Sequence, residues 1–141
     1  MDRMSPLVSI LMNCHNSSDF LKEAIDSIYA QTYSNWEIIF YDNASNDNSS
    51  NIAKSYDNKL QYFYIKKKIS LGEARNNALL KVKGEYIAFL DCDDEFLPNK
   101  LQDQVLIMKQ FDSDMCYGSA YHIDQNSNVI RKKRVSHKKG K

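Results

Sequence analysis

Short apolar runs recur along residues 7–90, and each gives way to a polar cluster or to a helical repeat. Leu7-Val8-Ser9-Ile10-Leu11-Met12 is rich in strand formers and ends at Asn13-Cys14-His15-Asn16, which predicts a buried first strand. Ser17 or Ser18 then stands where a helix cap belongs, ahead of Phe20, Leu21, Ala24, Ile25 and Ile28 at helical spacing. Asp19 and Glu23 fall in the early turns, where carboxylates suit the helix dipole. Residues 36–41 predict a second strand, which ends in Asp42-Asn43-Ala44-Ser45-Asn46-Asp47-Asn48 before a short helix over 50–56. A third strand spans 60–65, and Lys66-Lys67-Lys68 lead from it to a helix over 71–81. Gly84 breaks the chain ahead of Tyr86-Ile87-Ala88-Phe89-Leu90, a fourth strand that runs into Asp91-Cys92-Asp93-Asp94. Pro98 opens a further helix carrying Leu101, Val105, Ile107, Met108 and Phe111, and two strands over 115–123 and 129–134 flank the turn-forming 124–128.

Strands alternating with helices at this spacing predict an α/β fold, a mostly parallel sheet with helices on both faces. Ligands of such sheets bind at the carboxyl ends of the strands, and the first, second and fourth strands end in the densest polar clusters. The candidate chemistry therefore gathers on one edge. With 141 residues, 43% of them hydrophobic, the chain reads as a single domain over 1–141, with its core in 5–112 and a different region over 113–141.

A net charge of +1 gives no electrostatic reason to expect nucleic acid along the main body. The basic residues are uneven: Arg131, Lys132, Lys133, Arg134, Lys138, Lys139 and Lys141 form a basic tail, read as a solvated face or as a peripheral contact with anionic lipid. Cys14, Cys92 and Cys116 are odd in number and lack C-x-x-C spacing, so they suggest neither a disulfide framework nor a zinc knuckle. A reducing cytoplasm is the expected location, with peripheral attachment at the inner face of a membrane left open. The run 7–12 is too short for a membrane span or a signal-peptide core.

Asp91-Cys92-Asp93-Asp94 delivers three carboxylates into one loop turn, an arrangement that a divalent cation stabilises. One or two protein carboxylates suffice if phosphate oxygens and water complete an octahedral shell. The alternative is a solvated acidic turn that caps the next helix. Five ordered segments decide between them: P-L-V-S-I-L-M-N-C-H-N (6–16), A-I-D-S-I-Y-A-Q-T-Y-S-N-W-E-I-I (24–39), Y-D-N-A-S-N-D-N-S (41–49), L-G-E-A-R-N-N-A-L (71–79) and K-G-E-Y-I-A-F-L-D-C-D-D (83–94). In order and spacing they resemble the family 2 glycosyltransferases.

That resemblance implies a GT-A fold, Rossmann-like and truncated at the C-terminal side, which binds a nucleotide-diphosphate sugar, a UDP-sugar first, with Mn2+ or Mg2+. It implies a hexosyltransferase of polysaccharide biosynthesis whose acceptor is a glycan or a lipid-linked molecule, with 5–112 as the core of the donor-binding portion and 113–141, including the basic tail, as the start of the acceptor-side region. Position by position, it places Asn13, His15 and Asn16 in the loop flanking the nucleotide base. Asp42 becomes the base-contacting aspartate, and Arg75 lies near the base or the phosphates. Asp91 stands near the ribose, Asp93 on the metal, and Asp94 in support. Independently, a strand-end carboxylate suits a base N–H and a guanidinium suits a diphosphate. Without the motif, Arg75 reads as a surface residue paired with Glu73.

Two loops depart from the family pattern. Asn13 and His15 replace the proline and tyrosine of P-x-Y-N, so stacking on the base falls to His15. Asp42-Asn43-Ala44-Ser45 replaces D-D-G-S, so Ala44 lacks the positive φ open to glycine unless the turn is built differently. Inverting transfer also needs a base to deprotonate the acceptor hydroxyl. By family spacing it is expected beyond Lys141, and Asp112, Asp114 and Asp124 read as turn formers, so the chain is expected to bind donor and transfer little sugar. Two other readings compete: a non-catalytic nucleotide-sugar-binding or interaction module, and a haloacid-dehalogenase-like phosphatase with D-x-D at a strand end. The latter motif normally opens its domain, whereas here it follows three strands.

Overall fold

The structure is a computed structural model that describes residues 5–133. Its elements run β1 (Val8–Cys14), α1 (Leu21–Tyr29), β2 (Trp36–Asn43), α2 (Ser49–Lys54), β3 (Leu60–Ile65), α3 (Leu71–Leu79), β4 (Tyr86–Phe89), α4 (Lys100–Phe111), β5 (Ala120–Ile123) and β6 (Val129–Lys133). By backbone contacts the chain divides after Gln102 into two compact units.

In the first unit, β3-β2-β1-β4 form a four-stranded, wholly parallel sheet. Central strands of a parallel sheet are covered on both faces, which is why β1 and β2 are near-continuous apolar runs. Ile10, Leu11, Met12, Ile38, Ile39 and Phe40 are all fully buried, each stabilising the fold by about 1.5–3 kcal/mol relative to exposure. On one face Leu11, Ile39 and Tyr41 pack with Ala74 and Ala78 of α3, and the small alanines let that helix sit close to the strands. α1 buries Leu21, Ala24, Ile25 and Ile28, the spacing expected of an amphipathic helix, whereas Phe20 is exposed.

Two expectations, the cap of α1 and the apolar positions of α4, change. The Ser17/Ser18 cap is not formed: Phe20 is the N-cap residue of α1 with no side-chain cap bond, and the serine backbone N–H groups turn instead to the loop after β2. The parallel sheet with its helices is as expected, and Ile87 and Phe89 of the edge strand β4 are exposed. In α4, Leu101 and Val105 are buried but Ile107 and Phe111 are exposed.

The amino ends of the strands are closed by a buried polar knot. Ser9 Oγ donates to Glu37 Oε1 at 2.6 Å and accepts from the Gly84 N–H at 2.8 Å, while Gln61 Nε2 donates to Glu37 Oε2 at 2.6 Å. Both Ser9 and Glu37 are buried, so these bonds compensate their loss of water.

The second unit contains β5 and β6, an antiparallel pair with an irregularity between His122 and Ile123. Asp124 organises the turn by accepting from the N–H groups of Asn126 and Asn128, bonds that hold its carboxyl below the usual range. The β5 strand is shorter than the expected 115–123, and the β6 side chains are exposed. Arg131, Lys132 and Lys133 of the basic tail lie in β6; Arg134, Lys138, Lys139 and Lys141 lie outside the described residues. Among the described residues, no helix is long and apolar enough to cross a membrane.

Candidate functional site

The register fixes where the polar clusters meet. Cys14 at the end of β1 pairs with Asp42 at the end of β2, Asn43 pairs with Ile65 of β3, and the Leu90 N–H donates to Leu11 O just past β4. The loops after β1, β2 and β4 therefore share the carboxyl edge, as the sequence pattern implied.

The first two loops are zipped together. The Asn16 N–H donates to Ser45 Oγ at 3.0 Å, Asn46 N–H to Asn16 Oδ1 at 2.8 Å, Ser17 N–H to Ser49 Oγ at 3.0 Å and Ser18 N–H to Asp47 Oδ2 at 3.0 Å. Burial works against the charge on Asp47, but hydrogen bonds from Ser49 and Ser18 outweigh it and hold the carboxyl at about 2. Asn16 and Ala44 both take left-handed backbone, with φ of 52° and 60°. The turn after β2 thus keeps the conformation a glycine would favour, although the residue there is alanine.

His15 Nδ1 lies 2.8 Å from Asn43 O. A carbonyl only accepts, so Nδ1 carries a proton and Nε2 is the ring nitrogen left for another partner. Asn43 in turn clamps the loop before α3: its Nδ2 donates to Ile69 O and its Oδ1 accepts from the Ile69 N–H, both at 2.9 Å. Asn13 Oδ1 is buried without a hydrogen-bond partner, which makes it an acceptor in search of a donor.

Asp42 differs most from its expected setting. Its side chain is fully buried, Oδ1 accepts from the Ser45 N–H at 2.8 Å, and Oδ2 accepts from the Tyr62 hydroxyl at 2.6 Å. Burial and the bond to Asp42 push the Tyr62 phenol upward. Asp42 lies at the predicted strand end, but a base can reach it only if Tyr62 gives way.

At the opposite side of β1, Asp91, Asp93 and Asp94 are exposed, whereas Cys92 between them is buried and donates to Asn13 O at 3.4 Å. The alternation turns the carboxylates out while the thiol anchors the loop to β1. Hydrogen bonding to Cys14 and burial push the Cys92 thiol up. Partial burial first, and then the charges of Asp93 and Asp91, raise the Asp94 carboxyl. Arg75 of α3 answers one of these charges: its Nη2 is 3.6 Å from Asp91 Oδ1, both side chains remaining open to water. The carboxylates present only hard oxygen donors, which fits Mg2+ or Mn2+ completed by phosphate oxygens. Among the described residues, no three His, Cys, Asp or Glu side chains converge into a cation cage by themselves.

Sequence reasoning missed two supports. Gln31 donates to Leu97 O at 2.8 Å and accepts from the Leu101 N–H at 3.1 Å, while Ser27 Oγ accepts from the Phe96 N–H at 3.0 Å, so α1 and the turn just after it pin the segment that follows the carboxylates. Tyr62, the partner of Asp42, carried no motif either. Only tertiary proximity reveals both.

Residues 9–141 match the family described as Glycosyl transferase family 2. An uncharacterized glycosyltransferase of Rickettsia typhi is 42% identical over 128 residues, 89% of this chain and 40% of that protein, so the chain spans well under half of its relative's length. The Escherichia coli UDP-Glc:alpha-D-GlcNAc-diphosphoundecaprenol beta-1,3-glucosyltransferase WfgD is 34% identical over 127 residues, 89% of this chain and 50% of that one. The crystal structure of S. aureus TarS 1-349 in complex with UDP matches with a TM-score of 0.73 at 27% identity, covering 76% of this chain and 33% of that one.

Proposed function

Because this chain belongs to glycosyl transferase family 2 and has a GT-A fold, we propose that it carries the donor half of an inverting hexosyltransferase. Its donor is a nucleoside-diphosphate sugar, a UDP-sugar first, and its acceptor a glycan or a lipid-linked molecule. The observation that carries the reading is Arg75 held 3.6 Å from Asp91 beside Asp93, on the sheet edge where parallel α/β folds take ligands. UDP in the TarS structure and the UDP-sugar in the name of WfgD support the choice of donor.

Each side chain then has a task. Arg75 pairs with the diphosphate, Asp91 accepts from a ribose hydroxyl, and Asp93 holds the divalent ion. When bound, that ion neutralises the charge left on the departing nucleoside diphosphate. Asn13 Oδ1 takes an N–H or O–H of the nucleotide, which ends its isolation. His15 lies against the base with Nδ1 anchored on Asn43 O, and Asn16 acts through the backbone it fastens at Asn46. Asp42 selects a base N–H once the Tyr62 hydroxyl swings off its Oδ2. No catalytic base is assigned among the described residues: Asp124 is committed to its own turn, and Asp112, at φ 47°, stands just past the end of α4.

Calorimetry with UDP, in the presence and absence of Mn2+, tests this. Metal-dependent binding is expected, weakened at least about tenfold in Asp93→Ala, in line with the loss of a charge-assisted ligand. Absence of UDP binding with the metal present would overturn the site assignment.

A further inference from the structure

Six of the nine lysines up to Gln102 are engaged by a neighbouring side chain. Lys22 pairs with Asp26, Lys54 lies over Tyr62, Lys59 over Trp36, Lys81 over Phe63 and Lys100 over Phe96, and Lys83 Nζ donates to Gln61. Lys66, Lys67 and Lys68 are the exceptions among the described residues up to Gln102: all three are exposed, and no ion pair, ring or hydrogen bond engages their ammonium groups. Three adjacent unpaired cations repel one another and are relieved by an anionic partner.

Their segment is held firmly at both ends. Ile65 before them is paired with Asn43 in the sheet, Ile69 after them is clamped by the Asn43 amide, and Ser70 Oγ caps α3 by accepting from the Glu73 N–H. Little ordering entropy remains to be lost on binding. Exposed apolar side chains stand at either end of the segment in sequence, Tyr64 in β3 at 54% exposure and Leu71 at the start of α3 at 53%. Cations beside an exposed aromatic and an exposed aliphatic side chain match a bilayer interface, where ammonium groups meet headgroup phosphates and apolar groups enter the acyl boundary.

We propose that the β3–α3 loop, Tyr64 to Leu71, is a docking surface for an anionic lipid bilayer. β3 is the outermost strand and its loop leaves the carboxyl edge, so docking there sets the proposed donor site beside the membrane. This goes beyond the proposed transfer reaction and stands without it.

Co-sedimentation of the 141-residue chain with phosphatidylcholine vesicles, with and without phosphatidylglycerol, tests the surface. Binding is expected only to the anionic vesicles and to fall as salt rises. The Lys66→Glu/Lys67→Glu/Lys68→Glu variant should lose binding by at least about tenfold while keeping its melting temperature, since each lysine near such a surface is worth roughly fivefold. Leu71→Ser should reduce the part that survives in high salt. Binding that persists in the triple variant would assign the effect to the basic residues from Arg131 onward and overturn the proposal. Equal binding to neutral vesicles overturns it too, as does a triple variant that loses UDP affinity while keeping its vesicle binding. UDP binding is measured on the same samples, so failure of the donor site and failure of the lipid surface are read separately.

Discussion

Ala44 holds φ at 60° in the turn after β2, where Cβ crowds the next carbonyl at a cost of about 1–2 kcal/mol. Ala44→Gly removes that crowding and returns about 0.4–1 kcal/mol as entropy of the unfolded chain, so urea melts should show a net gain of roughly 0.5–1 kcal/mol. A loss would mean that the methyl group contributes packing there. Asp47, a few residues on, gives a pH test. Its folded carboxyl lies at about 2 against an ordinary 3.8, so its contribution is fully present above the ordinary value and disappears as pH falls through about 2. In Asp47→Asn the deficit relative to the parent, about 1–2 kcal/mol at neutral pH, should shrink towards zero below pH of about 2. A deficit independent of pH would show that charge is not what the serine N–H groups read. Position at this scale was legible in the chain: Asp42, Arg75, Asp91 and Asp93 all lie on the expected edge or beside it. Their partners were not, because Tyr62 is 20 residues from Asp42 and Asp91 follows α3 only after the whole of β4.

Among the elements, the strands were the most legible, since a buried parallel strand is written as an uninterrupted apolar run. β1 and β2 extend only to Cys14 and Asn43, slightly past the runs, because their ladders continue into the polar clusters. The start of α1 was misread because the N–H groups of Ser17 and Ser18 tie that segment to the facing loop, and the helix begins only after Phe20. Gly84 read as a breaker, and the structure gives it a sharper role. A Cβ there would lie 2.6 Å from Leu7 O and 2.7 Å from Ser9 N, so β4 can enter beside β1 only without a side chain. Gly84→Ala should therefore cost about 1–3 kcal/mol, read as a lower melting temperature. UDP affinity per folded molecule should stay unchanged, because Gly84 sits at the amino ends of the strands. A variant as stable as the parent would show that the backbone shifts freely at this entry.

For the whole molecule, the proposed donor site draws on loops from separate strands, so nucleotide and metal should stabilise the fold as well as occupy the site. UDP with Mn2+ is expected to raise the melting temperature, and Asp93→Ala should abolish the rise, as binding to the native state alone requires. The sequence by itself determined the α/β alternation, the buried strands, the single polar edge and the family, because apolar periodicity and motif spacing are local properties written along the chain. Tertiary structure decided the rest. It covered Asp42 with Tyr62, brought Arg75 to Asp91, left Asn13 Oδ1 without a partner, and left three lysines unpaired on one rim. Each of these depends on which distant side chain arrives within a few ångströms. Parallel strands joined by crossover helices set that by register, and register is not written at any one position.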